Sequence, residues 1–147
     1  MSVIQKVTPF LWYDHQAREA AEFYCSIFQH AKITFSSEMI VEFAIGDTQF
    51  MALNGGSRFK FTEAVSLFVQ CEDQAEVDRL WNLLTTDGGE ESMCGWCRDK
   101  YGLSWQIVPV RFMEMMKTGS PEQIQRVSGA MMSMKKMIIA DFEAAFI

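Results

Sequence analysis

The sequence predicts an α+β fold made of two βαβββ modules and a C-terminal helical tail. Three observations carry this. Strand-like segments surround an amphipathic helix twice in the same order, the two runs share residues as well as pattern, and apolar residues beyond Pro109 fall at helical spacing.

Residues 3–13 (VIQKVTPFLWY) are rich in β-branched and aromatic types and read as a strand ending at Asp14, which is placed to cap a helix. From Ala17 to Phe28 the apolar positions Ala20, Phe23, Tyr24, Ile27 and Phe28 form one face of that helix. Residues 31–35, 38–45 and 48–53 read as three strands, with Gly46-Asp47 supplying the turn between the last two. After Asn54-Gly55-Gly56-Ser57 the order restarts: strand 64–71, helix 73–86 with Val77, Leu80, Trp81 and Leu84 on one face, then shorter strands.

Asp14-His15-Gln16-Ala17 is echoed by Glu72-Asp73-Gln74-Ala75, which sets Phe23 over Trp81 and Thr8 over Ser66. GDTQFMAL (46–53) and GLSWQIVP (102–109) superpose on their glycines, with Thr48 over Ser104 and Phe50 over Gln106. Segments 110–117, 121–134 and 136–146 read as helices, the second starting at Ser120-Pro121 as cap and first helical residue. The modules 3–54 and 64–109 and the tail 110–147 are expected to make one domain, 1–147.

Of the 147 residues 49% are hydrophobic and 22% charged, the balance of a globular chain with a sizeable core. No basic run precedes an apolar segment near the start, and no apolar run approaches the ~18 residues of a spanning helix. Neither secretion nor membrane insertion is expected. A net charge of −6 repels a phosphate backbone, which excludes nucleic acid as the expected partner. Four cysteines, Cys25, Cys71, Cys94 and Cys97, suit a reducing cytoplasm better than a disulfide framework.

Several longer stretches go beyond pattern: PFLWYD (9–14), EAAEFY (19–24), VEF (41–43), FMALNGG (50–56), FKFTEAVS (59–66), CEDQAEVDRLW (71–81) and CGWCRDKYGLSWQIVP (94–109). Together they resemble the PhnB-like branch of the vicinal oxygen chelate superfamily, the glyoxalases, bleomycin-resistance proteins and dioxygenases. That branch carries the label 3-demethylubiquinone-9 3-methyltransferase domain. The resemblance spans nearly the whole chain and implies that the modules form a cupped mixed sheet. One departure stands out, because only Ser36-Ser37-Glu38 joins two strands that family members separate by a longer Gly- and Pro-rich loop.

In metal-dependent members, four symmetric strand positions carrying His and Glu hold one divalent ion. Transferred here to within about one residue of register, those positions are Thr8, Phe50, Ser66 and Gln106. An amide and two hydroxyls do not offset the desolvation of a divalent cation, so no metal and no cofactor is expected. His15 and His30 flank the first helix and are expected at its surface ends.

The label implies methyl transfer, but Gly55-Gly56 and Gly88-Gly89 lack the GxGxxG spacing of a cofactor-binding strand–loop–helix, so this activity is not expected. Cys94-Gly95-Trp96-Cys97 has dithiol spacing, yet it leads into a strand-rich segment and not a helix. Structural thiols are the expected reading, with an oxidant-sensitive pair and half a metal site as the alternatives. The pocket candidates are Thr8, Phe10, Trp12, Phe50, Ser66, Phe68, Ser104 and Gln106, a lining of aromatic and small polar groups suited to a flat or apolar molecule. Arg58 and Lys60 are placed to draw an anion, and Glu42, Glu63 and Asp99 are the carboxylates nearest strand ends.

Two functions follow. The leading one is a metal-free small-molecule-binding protein; the other is a metal-dependent lyase, isomerase or dioxygenase-like enzyme on a small organic substrate. Superfamily relatives commonly dimerise, and Met packs adaptably at interfaces, so the Met-rich helices 121–146 are expected to contribute to a homodimer.

Overall fold

The computed structural model describes residues 4–147. They form two compact units, one up to Phe61 and one from Thr62 onward. The first contains β1 (Phe10–Tyr13), α1 (Ala17–Ile27), β2 (Ala31–Ser36), β3 (Ile40–Ile45) and β4 (Thr48–Asn54). Its sheet order is β1-β4-β3-β2, with β1 parallel to β4 and the other pairs antiparallel.

The second unit repeats this with β5 (Ser66–Cys71), α2 (Gln74–Thr85), β6 (Glu90–Glu91), β7 (Trp96–Arg98) and β8 (Ser104–Pro109), in the order β5-β8-β7-β6. Here too the crossover pair, β5 and β8, is parallel. The predicted βαβββ duplication is therefore present. Three helices follow: α3 (Val110–Thr118), α4 (Pro121–Met132) and α5 (Ile139–Phe146).

The first strand is much shorter than expected. Val3 lies outside the described residues, and residues 4–9 are not strand. Gln5 explains the difference: its amide donates to the Val7 and Gln49 carbonyls and accepts from the Gln49 N–H, taking ladder positions that a strand would use. Pro9 has no N–H to offer. The helix start also differs, because Asp14 does not cap α1. The Ala17 N–H bonds instead to Asn54 Oδ1 at 2.8 Å, so a side chain at the end of β4 satisfies the first turn.

Helix α1 buries Ala17, Ala20, Ala21, Tyr24 and Ile27, and α2 buries Val77, Leu80, Trp81 and Leu84. Tyr24, and not Phe23, thus takes the place of Trp81. The connection entering α2 is one residue shorter than that entering α1, which shifts the correspondence. Against α1 lie Phe43, 5.9 Å from Tyr24 between ring centres, and Tyr13, whose hydroxyl is 2.9 Å from that of Tyr24. The Ser36–Ile40 connection is a closed hairpin, in which the Ser37 N–H donates to the Ile40 carbonyl and the Ile40 N–H to Ser37 Oγ.

The tail has a core of its own, in which Phe112, Met115, Val127, Met134, Met137 and Phe142 bury one another beside Val108. Its second helix opens on Ser120 and Gln123 as a reciprocal capping box with Pro121 behind it, as predicted. The stretch between α4 and α5 docks on the rest of the unit through main chain: the Met134 and Lys135 carbonyls accept the N–H groups of Cys94 and Gly95. The Gln74 amide clasps the Met137 carbonyl and the Ile139 N–H, and Lys136 pairs with Asp78 at 2.8 Å.

Candidate functional site

Side chains alternate across a strand, so each register assigns one set of residues to α2 and the other to the opposite face. Cys97, Trp105 and Glu91 are aligned, and Glu91 accepts from the Trp81 indole of α2 at 2.7 Å. Ser66, Phe68, Trp96, Arg98, Ser104 and Gln106 therefore share the face away from α2. On this face a hollow of about 410 Å³ lies along the β6–β7 edge, lined by Trp96, Arg98, Ser104, Glu63, Glu90 and Cys94 among others.

Its polar groups are unequally committed. Arg98 is bonded to Glu90 and lies 3.6 Å from Glu63. Gln106 Nε2 donates to Ser66 Oγ at 2.8 Å, so these two candidates hold each other. Ser104 is 1% exposed and lines the hollow, and its hydroxyl has no hydrogen-bond partner among the described residues. Phe68, opposite Gln106 in register, is 46% exposed.

In the first unit Phe10 and Trp12 share a face with Met51 and Leu53. Phe10 is exposed, whereas Trp12 is held by its indole N–H on the Gly56 carbonyl at 2.9 Å and by an edge contact with Phe59. A Cβ at Gly55 would stand 2.4 Å from the Trp12 ring, so glycine there is what lets the indole lie on the turn. Thr8 precedes β1 and accepts from Gln5. Phe50 is a correction: it stacks on Phe43, on the face that carries α1, and is buried. Met51 occupies the register position assigned to it.

The transferred metal positions thus carry Thr8 and Met51 in the first unit and the mutually bonded Ser66 and Gln106 in the second. This donor set does not fit a divalent cation. Among the described residues, no three of His, Cys, Asp and Glu gather where they could hold one. His15 and His30 are exposed at the two ends of α1, His30 in a left-handed turn conformation with φ 55°.

Asp99 is 2% exposed and is an anchor, not a free base. Its carboxylate accepts from the Tyr101 and Leu103 N–H groups and from the Trp105 indole, all within 3.1 Å. Glu42 is half-buried on the first sheet, while Glu63 is exposed beside Arg98. Arg58 lies over the Phe59 ring. The CGWC segment is a turn: Cys94 and Gly95 have φ of 59° and 80°, and both present their N–H groups to the tail. Burial, then Asp99 and Glu91, push the Cys97 thiol up to about 12, which suppresses the thiolate that dithiol exchange needs.

The sequence missed Trp96, Arg98 and Glu90. The alternation Trp96, Cys97, Arg98 puts the tryptophan and the arginine on one face, a signal masked by the dithiol spacing of Cys94 and Cys97.

Two mixed βαβββ sheets with an open face define the glyoxalase and bleomycin-resistance class of fold. A glyoxalase-related enzyme from Fulvimarina pelagi matches with a TM-score of 0.52 at 15% identity, over 72% of this chain and 88% of that one. A glyoxalase/bleomycin resistance protein from Albidiferax ferrireducens matches at 0.51 and 12%, over 69% and 95%. These two show the fold alone. Residues 5–108 match the model of the 3-demethylubiquinone-9 3-methyltransferase family, and the chain belongs to that family. A PhnB protein from Bacillus cereus, described by the same methyltransferase name, is 32% identical with a TM-score of 0.64, over 71% of this chain and 99% of that one. No curated protein matches the chain.

Proposed function

We propose that the chain is a metal-free small-molecule-binding protein of the vicinal oxygen chelate superfamily, with its site in the hollow of the second unit. The observation that carries this is the hollow of about 410 Å³, walled by Trp96 and reached by the unpartnered Ser104 hydroxyl. An aromatic wall with one or two fixed polar groups is the usual make-up of a site for a small organic ligand. The methyl transfer in the family's name finds no support in these two mixed sheets, which are not the doubly wound parallel kind that cradles a nucleotide-like cofactor.

A thermal-shift screen of a small-molecule library tests the reading. A ligand at 100 times its dissociation constant adds about 2.7 kcal/mol to stability. Substitution of Trp96 by Ala should abolish the shift while leaving the protein folded; a shift unaltered by that change would place the site elsewhere. Elemental analysis tests the metal-free part, and a stoichiometric divalent ion lost on chelation would overturn it.

The cytoplasm is the proposed location, supported by four cysteines, all of them unpaired. No helix of the described residues is long and apolar enough to cross a membrane, and neither membrane nor nucleic acid is a proposed partner. A homodimer is proposed as well. Most tail methionines serve the tail's own core, leaving Met132 exposed on α4, while Phe35, Met39 and Phe68 are further exposed apolar surface. Light scattering at micromolar concentration should give twice the chain mass, and a monomer would contradict it.

A further inference from the structure

We infer that the hollow selects an organic cation: an aromatic or aliphatic amine whose charged nitrogen sits among Glu63, Glu90 and Ser104 while its apolar part lies on Trp96. This rests on the proposed site and adds the chemical class of its ligand. Two carboxylates, Glu63 and Glu90, meet at the hollow against the single guanidinium of Arg98. Arg98 is already engaged by Glu90 and Glu63, so an incoming anion would meet a neutralised arginine and a surplus of negative charge.

Charge alone would describe any acidic surface, but Ser104 sets this one apart. Its hydroxyl belongs to a residue 1% exposed, lines the hollow, and has no partner among the described residues. No buried side-chain oxygen or nitrogen among the described residues lacks a partner, so what little surface Ser104 keeps is at its hydroxyl, which is open to a donor entering the hollow. An ammonium group has only donors, so it can satisfy the lone pairs of Ser104 and a carboxylate together. The Trp96 ring supplies the face that attracts a cation most strongly among aromatic side chains.

Calorimetric titration of the full chain with three compounds of one shape, 2-phenylethylamine, 2-phenylethanol and phenylacetate, is the test. At neutral pH the amine should bind about tenfold more tightly than the alcohol, the combined effect of two partly exposed carboxylates, and the acetate most weakly. The double variant E63Q/E90Q should erase the preference for the amine. Arg98→Gln should strengthen amine binding several-fold by releasing both glutamates, and Ser104→Ala should weaken it.

Binding of phenylacetate as tight as that of the amine, or weaker amine binding in Arg98→Gln, overturns the charge assignment and leaves the binding site standing. Failure of all three compounds at millimolar concentration overturns the inference as well. In that case the library screen decides separately whether the binding reading stands.

Discussion

Asp99→Ala is expected to lower the unfolding free energy by about 3–5 kcal/mol, the cost of leaving three N–H donors without their acceptor. The aspartate holds the whole β7–β8 turn. One oxygen takes the Tyr101 and Leu103 N–H groups and the other takes the Trp105 indole, and Trp105 is itself 1% exposed. Without the carboxylate, those donors lose their acceptor in a place that water reaches poorly. Asn offers one carbonyl where two oxygens are needed, so Asp99→Asn should fall between Ala and wild type. Urea unfolding followed by tryptophan fluorescence measures both, and equal stability of all three proteins would refute the anchoring role.

Alkaline pH should produce an effect of similar size. Burial is the first cause that raises Cys71 and Cys97 from the ordinary thiol value of 9.0 to about 12, and nearby carboxylates add to it in both. A pKa raised by folding means that the folded state resists losing the proton. The stabilisation is complete below pH 9, where both states hold it, and it is lost as pH rises from about 9 to about 12. Each thiol then costs about 1.4 kcal/mol per pH unit in that window, on the order of 4 kcal/mol at its upper end. Urea midpoints measured across this range should fall more steeply in wild type than in C71A/C97A. Parallel curves would show that other groups govern the alkaline loss.

The duplication was legible because it is written in two signals that agree, helical spacing in α1 and α2 and alternation in the strands beside them. Register was harder to read. Phe50-Met51-Ala52-Leu53 is apolar throughout, so β4 offers no alternation to say which residue faces α1. The glycine match between positions 46 and 102 then misled, because two residues separate Ile45 from Thr48 while five separate Arg98 from Ser104. Aligning turns of unequal length moved Phe50 to the wrong face. The pairing of Phe23 with Trp81 fails for a related reason, since the shorter entry into α2 shifts the correspondence by one position.

Among the candidate residues, Ser66, Phe68, Ser104 and Gln106 fall on one face of the second sheet. Their neighbours Trp96 and Arg98 were hidden by a motif whose spacing suggested thiol chemistry. What CGWC does is mechanical. Gly95 lets the tail and β8 approach from two sides, for a Cβ there would stand 3.0 Å from Met137 Cε and 3.2 Å from the Ile107 carbonyl.

That joint ties the tail to the matched region. The match to the family ends at residue 108, before α3, yet the residues that follow hold Cys94 and Gly95, and Cys94 lines the hollow. Packing changes at Met137 or Phe142 would therefore be passed through Cys94 and Gly95 to the wall of the hollow. On the proposed binding reading, tail sequence and ligand preference would be epistatic in this chain.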